Sequence, residues 1–215
     1  LFATTGFEFS GGEKTDIGPP LHPLVHTEPI RGLQELFLVT VFIEMFVDDS
    51  RVGTGTGFFC LSEDRSRIFL VTNRHIVRND GKQMFPDRLR LRLHADPLNL
   101  KHFENYDVRL YGDITKTQRR WKELDPSIDV VSIELPLSEI GKYYIKAFHT
   151  SDFAREETEL GVGEPVVIIG YPLGFFDEVH SLPVARQGSI ASVYPIPFRD
   201  RPFFLVDAHL HPGTS

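Results

Sequence analysis

Gly53-Thr54-Gly55-Thr56-Gly57-Phe58-Phe59-Cys60-Leu61, then Glu63-Asp64-Arg65-Ser66, then Ile68-Phe69-Leu70-Val71-Thr72, make one passage that decides the fold. Two runs of aromatic and β-branched residues flank a charged four-residue break, which is the punctuation of a β-hairpin. The pattern continues on both sides. Downstream, Arg88-Leu89-Arg90-Leu91-Arg92-Leu93 alternates strictly, so one face of that strand is apolar and the other carries three arginines. On a net acidic chain this arginine row reads as a solvated outer face rather than an anion site. Val130-Val131-Ser132-Ile133-Glu134-Leu135 is a further strand closed by Pro136, and Pro165 to Gly170, Val184 to Val193 and Phe203 to Val206 follow. Upstream, the crowded apolar stretch Glu35 to Val47 favours a strand buried on both faces, although periodicity alone leaves a helix open. Residues 138–158 are mixed and charged, with room for one helical turn or a link between two halves. Residues 1–34 are broken by Gly11-Gly12, Gly18-Pro19-Pro20, Pro23 and Pro29 and read as an extended arm. The expected class is all-β in two lobes.

Composition agrees and narrows the function. The 215 residues include 17 Gly, 15 Pro and 18 Phe but only 2 Met, which suits strands and turns better than a helical bundle. With 23 basic against 30 acidic side chains the net charge is −7, so a general nucleic-acid or anionic-membrane binder is not expected. No apolar run approaches the roughly 18–20 residues of a membrane span. The single cysteine, Cys60, excludes an internal disulfide and a two-cysteine metal site. The start, Leu1-Phe2-Ala3, has neither an initiator Met nor a signal-peptide layout, and a chain without disulfides suits a reducing cytoplasm.

Three places can carry chemistry. His75 lies just past the buried run Ile68 to Thr72, so it is held by the strand's packing yet faces a cleft. Asp129 precedes an apolar strand that draws its carboxylate inward, where an imidazole N–H is a suitable partner. Asp125, four residues earlier and followed by Pro126, reads as a turn former instead. Ser215 follows His211-Pro212-Gly213-Thr214, a turn whose backbone N–H groups can converge on one point as an oxyanion site does. Each alone has an ordinary reading as a surface histidine, a turn aspartate or a loop serine. Together they occur in the order His, Asp, Ser, each at the edge of an apolar strand, which is the order of one class of serine-hydrolase triads.

The sequence resembles a trypsin-like serine protease of the chymotrypsin fold, nearest to the disulfide-free HtrA-type and related bacterial peptidases. The matching segments are Gly55-Thr56-Gly57-Phe58-Phe59 with Leu70 through Val77, Asp129 to Ile133, Val167 through Gly174, Arg186-Gln187-Gly188-Ser189-Ile190, and Val206-Asp207-Ala208 with Pro212 to Ser215. They span about residue 35 to the end. The resemblance implies two antiparallel six-stranded β-barrels with a cleft between them, the second incomplete in this chain. It implies a first barrel over 35–140 carrying the catalytic His and Asp, a linker over 141–160 and a second barrel over 161–215 that stops at the nucleophile. Carried over by position, His75 resembles the general base, Asp129 the carboxylate that orients it, and Ser215 the nucleophile. The backbone N–H groups of Gly213 and Ser215 resemble the oxyanion hole. His209 resembles the base of the specificity pocket. Thr214 stands where Asn or Asp is commoner in the family, and His211 where Asn is usual. Neither cofactor nor metal is expected. His209 and His211 share a strand face but lack a third ligand, and His22 and His26 sit in the Pro-broken arm.

The expected function is therefore a serine endopeptidase acting on a polypeptide substrate. The alternative is a catalytically silent, protease-like binding scaffold. A third possibility is a protease regulated by residues 1–34 lying across the cleft. A regulatory or downstream domain is compatible with the resemblance, and the oligomeric state is not readable from the residues.

Overall fold

A computed structural model describes residues 25–26, 32–123, 125–155 and 157–208. The first elements are the two-residue strand β1 (Val25–His26) and the short helix α1 (Leu33–Val39). Strands β2 (Thr40–Val47), β3 (Ser50–Leu61) and β4 (Ile68–Thr72) lead into the one-turn helix α2 (Arg74–Val77). Strands β5 (Arg88–His94), β6 (Phe103–Arg109), β7 (Trp121–Glu123) and β8 (Val131–Leu135) come next, followed by α3 (Leu137–Ile140) and β9 (Ile145–Lys146). The chain continues as β10 (Pro165–Gly170), β11 (Val184–Ile190) and β12 (Val206–Asp207).

The expected hairpin is the β3–β4 pair, with Leu61 opposite Ile68 and Gly57 opposite Thr72. It lies inside a seven-stranded antiparallel sheet of order β6-β5-β2-β3-β4-β8-β7. Its two edge strands are consecutive in the chain. Tyr111, just after β6, bridges Arg119, just before β7, and the Arg120 N–H donates to the Leu110 carbonyl at 3.0 Å. That hairpin connection curls the sheet round on itself, which shields edges that would otherwise offer unpaired N–H and C=O groups. The inside is filled from alternating positions: Leu89, Leu91 and Leu93 of β5 meet Ile43 of β2, Leu70 of β4 and Ile133 of β8, all almost fully buried. The seventh strand, β7, is a three-residue addition to the six expected of such a barrel.

A three-stranded antiparallel sheet, β10-β11-β12, forms the described part of the second lobe. It is open, and its only long pairing runs from Pro165 opposite Ser189 to Gly170 opposite Val184. Strands end earlier here than the apolar runs suggest. The β11 strand stops at Ile190, and residues 203–205 are joined by single bonds, such as Ala191 N–H to the Leu205 carbonyl at 2.8 Å, rather than by a ladder. The architecture is thus all-β, a curled antiparallel barrel plus a smaller sheet.

Two sequence expectations change. The stretch Glu35 to Val47 divides into α1 and then β2. Leu33-Gln34-Glu35-Leu36 are good helix formers, whereas Thr40-Val41-Phe42-Ile43 are β-branched or aromatic, so the switch follows propensity within one apolar run. The part that is a strand is buried on both faces, as expected, with Phe42 and Ile43 both nearly inaccessible. The reason lies in the arginine row, which is no solvated face. Arg88 and Arg90 lie over the Phe46 ring, with centroid distances of 4.4 and 5.1 Å, and Arg92 lies over Phe42 at 5.1 Å. Both Arg88 and Arg90 bond the Asp107 carboxylate on β6 at 2.7 Å. The hydrogen bond from Arg90, above all, holds the Asp107 carboxyl below the ordinary carboxylate range. The guanidinium planes thereby cover aromatic rings that point away from the barrel interior.

The segment between the sheets packs on the first. Leu61 N–H donates to the Phe148 carbonyl at 2.8 Å, Phe148 N–H donates to Phe59, and β1 pairs in parallel with β9. The two sheets meet at Thr56. Its Oγ1 accepts the buried Tyr171 N–H at 3.0 Å, and a Cβ at Gly170 would stand only 3.0 Å from that oxygen. Phe42 and Phe176 pack on the Tyr171 ring. Thr56→Val keeps the shape and removes the acceptor, so it is expected to cost about 1–3 kcal/mol by stranding a buried N–H. Urea denaturation of the folded chain measures this, and a loss below a few tenths would show that Thr56 does not join the lobes.

Candidate active site

Three local features place His75. Strand β4 ends at Thr72, which is fully buried and whose Oγ1 donates to the Thr56 carbonyl at 2.8 Å. The next four residues turn once as α2. Within that turn Ile76 and Val77 are buried against the barrel, which leaves the His75 ring on the open side. The imidazole is about one-third exposed.

Asp129 arrives from 54 residues further along the chain. It stands just before β8, the strand paired with β4, with Thr72 opposite Val131. This pairing alone brings the start of β8 beside the end of β4. Asp125 is occupied with its own turn, where its Oδ1 accepts the Ser127 N–H at 2.7 Å.

Asp129 Oδ2 lies 2.6 Å from His75 Nδ1, and Asp129 Oδ1 accepts the His75 backbone N–H at 3.0 Å. An ionised carboxylate can only accept, so Nδ1 carries the proton and Nε2 of the neutral ring is left as an acceptor. Asn73 Nδ2 donates to the Asp129 backbone carbonyl at 2.9 Å and to Oδ2 at 3.2 Å. Partial burial pushes the Asp129 carboxyl up, but the ring and backbone N–H donors of His75, with the charge of Arg74 nearby, outweigh it and hold the group below its ordinary value.

The sign of the resulting pH effect follows. A carboxyl depressed in the folded state adds stability above its unfolded pKa, and this is lost as pH falls through the folded value. The stability gap between the wild type and Asp129→Asn is therefore expected to be widest near neutrality and to narrow in acid, below the range in which an ordinary aspartate titrates. Thermal unfolding of both proteins across that range checks it, and a constant gap would count against an ionised Asp129.

Of the residues expected from the sequence, the structure brings His75 and Asp129 together. Ser215, Gly213 and His209 lie outside the described residues, as do His211, His22 and nearly all of the 1–34 arm. No group of three or more His, Cys, Asp or Glu side chains suited to a metal occurs among the described residues. Among them, too, no helix is long and apolar enough to cross a membrane. The sequence reading missed two residues of this region, Asn73 and Thr56. The available signal for Asn73 was its place directly before a short helix, where a polar side chain is expected to engage a neighbour. Nothing local marked Thr56, because its partner is 115 residues away.

The sequence model of the trypsin-like peptidase domain matches residues 55–215. No curated protein sequence matches the chain significantly. Among solved structures, Deg5 aligns with a TM-score of 0.52 at 16% identity, covering 84% of this chain and 72% of Deg5. The HtrA-type protease AlgW, solved with a tripeptide, gives 0.51 at 15% identity, over 85% of this chain and 46% of AlgW. A serine endoprotease from Yersinia pestis gives 0.49 at 14% identity, over 85% and 49%. The chain thus spans about half the length of the AlgW and Yersinia proteins. At such identities the likeness to Deg5 and AlgW is one of fold, and it agrees with the curled barrel and second sheet described above. With three-quarters of its length matched by that domain's pattern, and with His75 set against Asp129 inside the match, the chain belongs to the trypsin-like peptidase domain family.

Proposed function

We propose that the protein is a serine endopeptidase that hydrolyses peptide bonds of polypeptide substrates through an acyl-enzyme. The observation that carries the reading is the 2.6 Å contact of His75 Nδ1 with Asp129 Oδ2, made by two residues 54 positions apart within a peptidase-family domain. In this reading 35–140 supplies the base and its carboxylate, 161–215 supplies the nucleophile, and 141–160 links them.

The chemistry follows from what these groups can do. A neutral serine hydroxyl is a weak nucleophile, so the Ser215 O–H donates to His75 Nε2 as its oxygen attacks the scissile carbonyl. The ring becomes an imidazolium, and the Asp129 carboxylate on Nδ1 stabilises it while fixing the ring's orientation. The oxyanion that forms on the substrate is held by the backbone N–H groups of Gly213 and Ser215. His75 then returns the proton to the leaving amine. Water repeats the sequence on the ester, and Ser215 is regenerated. His209, which by its resemblance to the family pattern would stand at the base of the specificity pocket, would favour an acidic substrate side chain when protonated and a polar one when neutral.

The direct experiment incubates the full-length protein with an unfolded polypeptide and follows new amino termini. Release by the wild type and none by Ser215→Ala is the expected result. If both proteins are folded and neither cleaves, the protease-like binding scaffold takes the place of this reading.

A further inference from the structure

We infer that Asn73 is a positioning residue, its side-chain amide holding Asp129 in the orientation that receives the His75 Nδ1–H. The inference rests on the roles proposed for His75 and Asp129.

Asn73 directly precedes α2, where a short polar side chain ordinarily accepts a backbone N–H from the helix's first turn. Its side chain makes no such bond. The N–H that it could have taken, that of His75, goes instead to Asp129 Oδ1 at 3.0 Å. The distant carboxylate has assumed the capping role, and the Asn73 amide is turned to hold the carboxylate. Nδ2 reaches the backbone carbonyl of residue 129 at 2.9 Å and Oδ2 at 3.2 Å, so one NH₂ group grips both the main chain and the side chain.

This fixes the amide's own orientation, because both Asp129 atoms are acceptors and only the NH₂ end can face them. It also leaves a cost on the other end. Asn73 Oδ1 is buried without a hydrogen-bond partner among the described residues. A buried orphan acceptor is unfavourable for folding, so the arrangement serves the carboxylate rather than the stability of the turn. The carboxylate as a result takes three donors, one on Oδ1 and two on Oδ2, from residues on both sides of Arg74. Rotation of the carboxylate away from the ring breaks bonds to Asn73 as well as to His75. A His75–Asp129 pair without this third donor keeps its attraction but loses a fixed direction, and base catalysis depends on direction.

The test compares the full-length wild type with Asn73→Leu, close in volume, and Asn73→Asp, close in shape but lacking the donor. The readouts are the rate constant for labelling Ser215 with a fluorophosphonate, the kcat and KM for a peptide, thermal unfolding, and the proton NMR resonance of His75 Nδ1–H. For Asn73→Leu, labelling and kcat should fall about 10- to 100-fold, the range for one hydrogen bond to a charged group, with KM unchanged. Its thermal stability should hold, since the orphan oxygen leaves with the amide. The Nδ1–H resonance should weaken through faster exchange with water. Asn73→Asp should lose more, because a second carboxylate then faces Asp129. Labelling within twofold of wild type and an unchanged resonance in folded Asn73→Leu would overturn the inference. If that variant does not fold, Asn73→Asp and Asn73→Ser, read per folded molecule, decide by the same criteria. Should the wild type itself fail to label, the peptidase reading falls, while the resonance in the variants still shows whether Asn73 holds the carboxylate.

Discussion

Alanine in place of His75 is expected to lower kcat for peptide hydrolysis about 10⁶-fold, the scale of loss when the base of a serine triad is removed. No other group on the open side of α2 can replace it. Arg74 beside it cannot accept a proton, and Ile76 and Val77 are buried in the barrel wall. The fold should survive the change, since the ring is partly exposed and its backbone N–H still donates to Asp129 Oδ1. KM should change little, because the ring serves the transition state more than the bound substrate. Steady-state kinetics with a chromogenic peptide, alongside circular dichroism, make the measurement. A loss of less than about 100-fold in a folded variant would place the base elsewhere.

Asp129→Asn should cost about 10⁴-fold in kcat, less than the loss of the base but far more than its stability effect. Asparagine keeps the size of the side chain and brings an NH₂ group into a site with three donors already aimed at it. If its amide oxygen stays on the His75 backbone N–H, the NH₂ faces the ring. Nδ1 must then accept, which moves the ring proton to Nε2, the atom that receives the serine proton in the proposed mechanism. The defect is one of tautomer, so raising the pH should not restore the rate to that of the wild type at neutral pH. A pH–rate profile of kcat/KM for the two proteins tests this. A variant that regains wild-type rates in mild alkali would show that charge, and not tautomer, is what Asp129 supplies.

How much of this could be read in the chain follows from the range of each interaction. The hairpin of β3 and β4 is local, bounded by a polar turn, and was legible from residues 53–72 alone. His75 was legible because it interrupts an apolar passage just where a strand must end. Asp129 was legible only as an acidic residue before a strand, and the pairing of β8 with β4 is what makes it a neighbour of His75. Phe42 and Phe46 explain why the arginine row misled: the alternation of β5 was correct, but rings from the adjacent β2 cover the face it was taken to leave open. The helix α1 was hidden because Leu36, Phe37 and Leu38 are as apolar as the strand that follows, and only the change from straight-chain to β-branched residues marks the boundary. Thr56 was illegible, since a threonine between two glycines has no sequence mark of the Tyr171 N–H it accepts.

In the proposed mechanism the hydroxyl of residue 215 is activated by the ring of residue 75. Mass-spectrometric mapping of the full-length protein after reaction with a fluorophosphonate tests it most directly. A single adduct on the peptide containing Ser215, formed by the wild type and absent from His75→Ala, is the expected result. An adduct on a different residue, or equal modification of Ser215 in both proteins, would contradict it.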